Sequence, residues 1–97
     1  MTYAWRVTKD HSDEDGPHPF NIVGPSDATD ADVARLDDPS ERHVFRLYDD
    51  DGNLMASGFG VHDGDEDGCI GPLADFGEGY YGCTYIRWQG HPEWDCG

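Results

Sequence analysis

The feature that most narrows the fold lies near the middle of the chain, where His43-Val44-Phe45-Arg46-Leu47-Tyr48 runs into Asp49-Asp50-Asp51-Gly52. Phe45 and Leu47 alternate with Arg46 and Tyr48, the period-two pattern of a strand with one buried face. A glycine after three aspartates supplies the positive-φ residue that a tight reversal needs. The chain is therefore expected to return as a second strand over residues 53–61. Gly58 and Gly60 in that return arm point to a bulge or a close packing contact.

The flanks add elements of the same kind. Residues 3–9 alternate Tyr3, Trp5 and Val7 against Ala4, Arg6 and Thr8, a half-buried strand. Residues 10–25 read as loop, anchored by Phe20, Ile22 and Val23. Gly24-Pro25-Ser26-Asp27 reads as a turn feeding a short helix, with Ser26 or Thr29 as its cap. Asp27, Asp30 and Asp32 would sit near the positive end of its dipole. Val33 and Leu36 form its inner stripe, and Pro39 closes it. Residues 62–68 read as a second acidic loop, 69–73 as a short edge strand, and 75–82 as an irregular glycine-rich stretch. Residues 83–88 form the last strand, and the tail is polar except for Trp94. The sum is one domain over residues 1–97, of class α+β: a small antiparallel sheet of four to five strands with one short helix.

Charge limits the partners. Twenty-one acids, sixteen of them Asp, face six bases, for a formal net charge of −15. Such a surface repels nucleic acid and anionic membranes and attracts basic protein surfaces or cations. A salt-adapted or Asp-rich proteome would give the same totals. Only 36% of the residues are apolar, but twelve are aromatic, so a compact core stays feasible and disorder throughout is the weaker reading. No stretch approaches the roughly 20 apolar residues of a membrane span, and the first ten residues lack a leader's apolar run. The expected location is the cytoplasm, with Cys69, Cys83 and Cys96 as free thiols.

Three constellations carry candidate chemistry. The first is the acidic surface itself, with Asp49, Asp50, Asp51, Asp63, Asp65, Glu66 and Asp67 as the expected partner-binding residues, brought near one another by two turns. Fifteen charges equal about 25 Å of duplex, or seven to eight base pairs, so mimicry of DNA toward a host nucleic-acid-binding protein is one reading. A solvated charge coat is the other. The second is calcium: Asp63, Asp65 and Asp67 occupy alternate loop positions before Gly68, but Ala74 stands where a bidentate Glu would complete the shell. The third is zinc held by Cys69, Cys83, His91 and Cys96, which lack the paired-cysteine knuckle. Nucleophile elbows, phosphate-binding glycine loops and zincin motifs are missing, so catalysis and cofactors are not expected. Tyr80 and Tyr81 read either as interface aromatics or as a cover for the sheet.

Several segments taken in order carry a resemblance. They are Trp5-Arg6-Val7-Thr8-Lys9-Asp10-His11, Gly24-Pro25-Ser26-Asp27-Ala28, Phe45 to Gly52, Pro72-Leu73-Ala74-Asp75-Phe76-Gly77 and Gly82-Cys83-Thr84-Tyr85-Ile86. Together the chain resembles an uncharacterised family of small acidic proteins from actinobacteria, their plasmids and their phages. The resemblance implies a cytoplasmic protein often borne by mobile elements, and it implies no activity. With the charge, it makes the expected function that of a non-enzymatic acidic binding or inhibitor protein, engaging the basic surface of a nucleic-acid-binding host protein. The alternative is a calcium-binding or purely structural domain.

Overall fold

A computed structural model describes residues 3–97. Five antiparallel strands form one sheet: β1 Ala4–Asp10, β2 His18–Gly24, β3 His43–Tyr48, β4 Leu54–Val61 and β5 Tyr85–Trp88. Their order across the sheet is β2-β1-β4-β3-β5. The expected central hairpin is β3–β4, and Gly52 at its turn has φ 81°. The Cα radius of gyration is 12.3 Å, the size expected for one domain of this length.

The inner face of the sheet holds the core. Trp5, Val7, Phe45, Leu47, Ala56, Ile86 and Trp88 pack there against Leu73, Phe76 and Cys83. A helical segment over residues 66–81 supplies that cover, made of α2 Glu66–Pro72, a π-helical turn Leu73–Gly77 and α3 Glu78–Tyr81. This corrects the edge strand expected at 69–73 and the irregular stretch at 75–82. Asp65 caps α2, Glu66 and Asp67 lie in its first turn, Cys69 is buried, and Leu73, Phe76 and Tyr81 turn to the core, while Tyr80 stacks on Phe76 and stays 58% exposed. Pro72 offers no N–H, and the ladder widens to i→i+5 just after it. Gly82, in the left-handed region at φ 70°, closes the segment.

A second correction concerns residues 18–24, expected as loop. They form β2, an edge strand carrying Pro19, with Phe20 and Ile22 packed against the core. The short α1 helix, Asp30–Arg35, is where the sequence put it. Thr29 caps it by accepting from the Asp32 N–H at 3.1 Å. Its Val33 and the following Leu36 cover one end of the outer sheet face, against Ala4, Val61 and Phe59. The tail folds back as a 3₁₀ turn, Pro92–Trp94, and Cys96 bridges to Ile86. Among the described residues no helix is long and apolar enough to cross a membrane.

Candidate functional site

The expected acidic constellation is split by topology. Asp49, Asp50 and Asp51 sit in the β3–β4 turn, whereas Asp63, Asp65, Glu66 and Asp67 follow the far end of β4. That strand has eight residues, so at about 3.3 Å per residue the two groups are roughly 25 Å apart. They do not form one site. The turn instead meets the loop after β1, and Asp13, Glu14 and Asp49 line a common hollow with His11 and Asn53. Asp49 also holds the turn together. Its Oδ1 accepts from the N–H of Asp51 at 3.0 Å and of Asn53 at 2.8 Å, and Oδ2 accepts from Asn53 Nδ2. Those bonds, to Asn53 above all, keep its carboxyl below the usual range.

The calcium and zinc readings meet the same obstacle. Asp65 Oδ2 accepts from the Gly68 N–H at 3.4 Å as a helix cap while its Oδ1 is buried without a hydrogen-bond partner, and Asp67 lies inside the first turn of α2. Cys69 sits in α2, whereas the chain reverses at Gly82 and sets Cys83 beside Gly77, its N–H bonding the Gly77 carbonyl, about 12 Å further along the helical segment. Burial raises both thiols to about 11, far from a metal-binding thiolate at neutral pH. Among the described residues no group of three or more His, Cys, Asp or Glu is placed to hold a metal ion.

Three histidines gather near the start of β3 and the end of β5. His91 stacks on Trp94 with ring centroids 3.7 Å apart, and His43 meets the edges of both. His62 packs at 4.4 Å from Trp94 and 4.6 Å from Trp88. It is 94% buried, and its Nδ1 accepts from the Gly64 N–H at 2.9 Å, so the ring proton sits on Nε2. Burial first, then the neighbouring histidines, lower the proton affinity of His62 and His43.

The bases are the group that sequence reasoning passed over. Phe45, Leu47, Ile86 and Trp88 face inward, so Arg46 and Arg87 face outward. Arg46 lies directly opposite both Arg87 on β5 and Ser57 on β4. Strict alternation would send Lys9 inward with Trp5 and Val7. The register slips between Val7 and Lys9 against both neighbours, and this β-bulge brings Lys9 opposite Ser57. Lys9, Ser57, Arg46 and Arg87 thus form one row across four strands.

Other bases border that row. Arg6 pairs with Asp37 at 3.1 Å, and the Arg42 guanidinium lies 4.1 Å over the Phe59 ring. Arg35 on α1 meets Asp32 and Glu41. Arg87 lies over the stacked rings of Tyr48 and Tyr85. No ion pair engages Lys9 or Arg46 among the described residues. Beside them, His11 Nε2 shares a hydrogen bond with Ser57 Oγ at 3.0 Å. Burial, and then Lys9 and Arg46, lower the proton affinity of that imidazole. The adjacent Asp10 turns to the inner side, toward Tyr81, so Asp10 and His11 form no relay. The available sequence signal was the alternation that set Arg6, Arg46 and Arg87 opposite the apolar positions of three strands. Compared with protein-family models, curated proteins and solved structures, the chain matches none of them.

Proposed function

We propose that the protein is a non-enzymatic acidic binding or inhibitor protein that engages a basic surface on a cytoplasmic, nucleic-acid-handling protein. The resemblance to proteins of mobile elements adds a phage or plasmid origin to this reading. What supports it is a partial separation of charge: acids crowd the 13–15, 49–51 and 63–67 segments, while four of the six bases, Arg6, Lys9, Arg46 and Arg87, lie on the outer sheet face. The observation that carries it is that Asp13 and Glu14 of the loop after β1 line one hollow with Asp49 of the β3–β4 turn, with Asp15, Asp50 and Asp51 as their chain neighbours. Those six carboxylates have no Lys or Arg ion pair among the described residues, and Asp13 alone meets His18, at 3.4 Å. Six charges equal about 10 Å of duplex, roughly three base pairs, so the match is to a local basic patch rather than a long groove.

The test is affinity capture from host lysate with the native chain and with the triple variant Glu14→Gln, Asp50→Asn, Asp51→Asn. The Debye length shrinks from about 10 Å at 0.1 M salt to about 3 Å at 1 M. A nucleic-acid-handling protein should be retained at low salt, released at high salt, and lost with the variant. Retention that ignores both salt and the variant, or no such protein at all, would sink the reading.

A further inference from the structure

We infer that the outer sheet face carries a binding site for a small organic oxyanion, a phosphate monoester or a carboxylate, held between Lys9 and Arg46. The two cations flank a cleft of about 300 Å³ whose walls include His11, Ser57, Phe59 and Gln89 and no carboxylate. The lining therefore offers two cations and several neutral hydrogen-bonding groups, and no anionic one. In a chain with 21 acids and six bases, an acid-free cleft lined by two unpaired cations runs against composition.

The register sharpens this. Arg46 stands directly opposite Arg87, and like charges directly opposite on neighbouring strands destabilise a sheet. Carboxylates at these positions would relieve the repulsion, but Ser57 separates Lys9 from Arg46 and tyrosines lie under Arg87. A bound oxyanion neutralises Lys9 and Arg46 together, with the Gln89 amide as a further donor, joined by the Ser57 hydroxyl when His11 Nε2 carries the ring proton and donates to Ser57 Oγ. The β-bulge contributes directly, since it turns Lys9 to this face. Val44 and Phe59 line one side of the cleft, an apolar wall for the ligand's organic part. The net charge of −15 keeps polyanions away, so the ligand is small and carries a compact charge.

The probes are phenyl phosphate, benzoate, inorganic phosphate and uncharged phenol, followed by backbone amide shifts of the full chain. Phenyl phosphate or benzoate should give saturable shifts centred on Lys9, His11, Arg46 and Ser57, and phenol none. The stronger of the two assigns the charged group, and inorganic phosphate isolates the contribution of the apolar wall. Lys9→Gln, at an exposed position, should weaken binding about tenfold or more, as should Arg46→Gln. Arg35→Gln, outside the cleft, should leave affinity unchanged. The triple carboxylate variant should still bind, which separates this site from the proposed acidic interface. No saturable response to either anion up to about 10 mM would overturn the inference, as would equal weakening by Lys9→Gln and Arg35→Gln.

Discussion

His62 Nδ1 accepts a hydrogen bond from the Gly64 N–H at 2.9 Å, while its Nε2 is buried with no partner. The ring is therefore neutral in the folded chain. His43, His91, Asp63 and Asp65 face it, the two histidines opposing a proton and the two aspartates favouring one. A base whose proton affinity drops on folding binds fewer protons when folded than when unfolded. Its stabilisation is complete above the unfolded value of about 6.5 and is lost as pH falls through the lowered folded value. Urea denaturation midpoints should fall between pH 7.5 and pH 5, and His62→Gln should flatten that decline. Carboxylates with lowered values, Asp10, Asp38 and Asp49, act in a separate window below about 3.8. A midpoint unchanged down to pH 5 would contradict the neutral His62.

Trp88 ties the last strand to the helical segment through one buried bond, from Nε1 to the Cys69 carbonyl at 2.9 Å. Trp88→Phe keeps much of the ring packing but strands that carbonyl away from water. The expected cost is about 1–3 kcal/mol in ΔG of unfolding, measured by chemical denaturation. A change within a few tenths of a kcal/mol would mean that water reaches the carbonyl.

Gly58 lies opposite both Val7 and Phe45, and a Cβ there would run into the Arg6 carbonyl of the neighbouring strand. Backbone cannot rotate aside as a side chain does. Gly58→Ala should destabilise by about 2–3 kcal/mol and lower Tm by roughly 10 °C or more, read by thermal circular dichroism. Gly79→Ala, with open space around its Cβ site, is the control and should be neutral or slightly stabilising.

Arg46 opposite Arg87 is an electrostatic cost in the unliganded protein. Arg46→Thr removes the repulsion at a position where a β-branched residue suits the strand. Stability should stay the same or rise by up to about 1 kcal/mol, more at low salt than at high. A clear loss of stability would mean that the Arg46 stem is needed for packing, and that the row is structural.

Much of the hairpin and of α1 was legible because their signals are local. Phe45 and Leu47 alternate, Gly52 supplies the turn, and Thr29 precedes the Val33–Leu36 stripe. The expected strand list shows where local reasoning ended. It had five members, as the sheet does, but it included 69–73, which is helix, and omitted 18–24, which is strand. Gly68, Gly71 and Pro72 argue against a helix by propensity. The packing requires the glycines: a Cβ at Gly71 would enter the Tyr3 ring, and one at Gly68 would strike His62. The Cys69, Leu73, Phe76, Tyr80 spacing was the visible helical signal, and glycine content masked it.

Composition and local pattern account for the charge excess, the central hairpin, the capped short helix and the outward alternation of Arg6, Arg46 and Arg87. These depend on neighbours within a few residues or on composition alone. Tertiary structure decided where each loop landed. It put Asp49–Asp51 and Asp63–Asp67 at opposite ends of β4, and a one-residue bulge turned Lys9 to the face of Arg46. The physical reason is that side-chain direction in a sheet has a period of two, so one extra residue reverses it. The position of such a residue depends on pairing with strands far away in the chain, which local pattern does not contain.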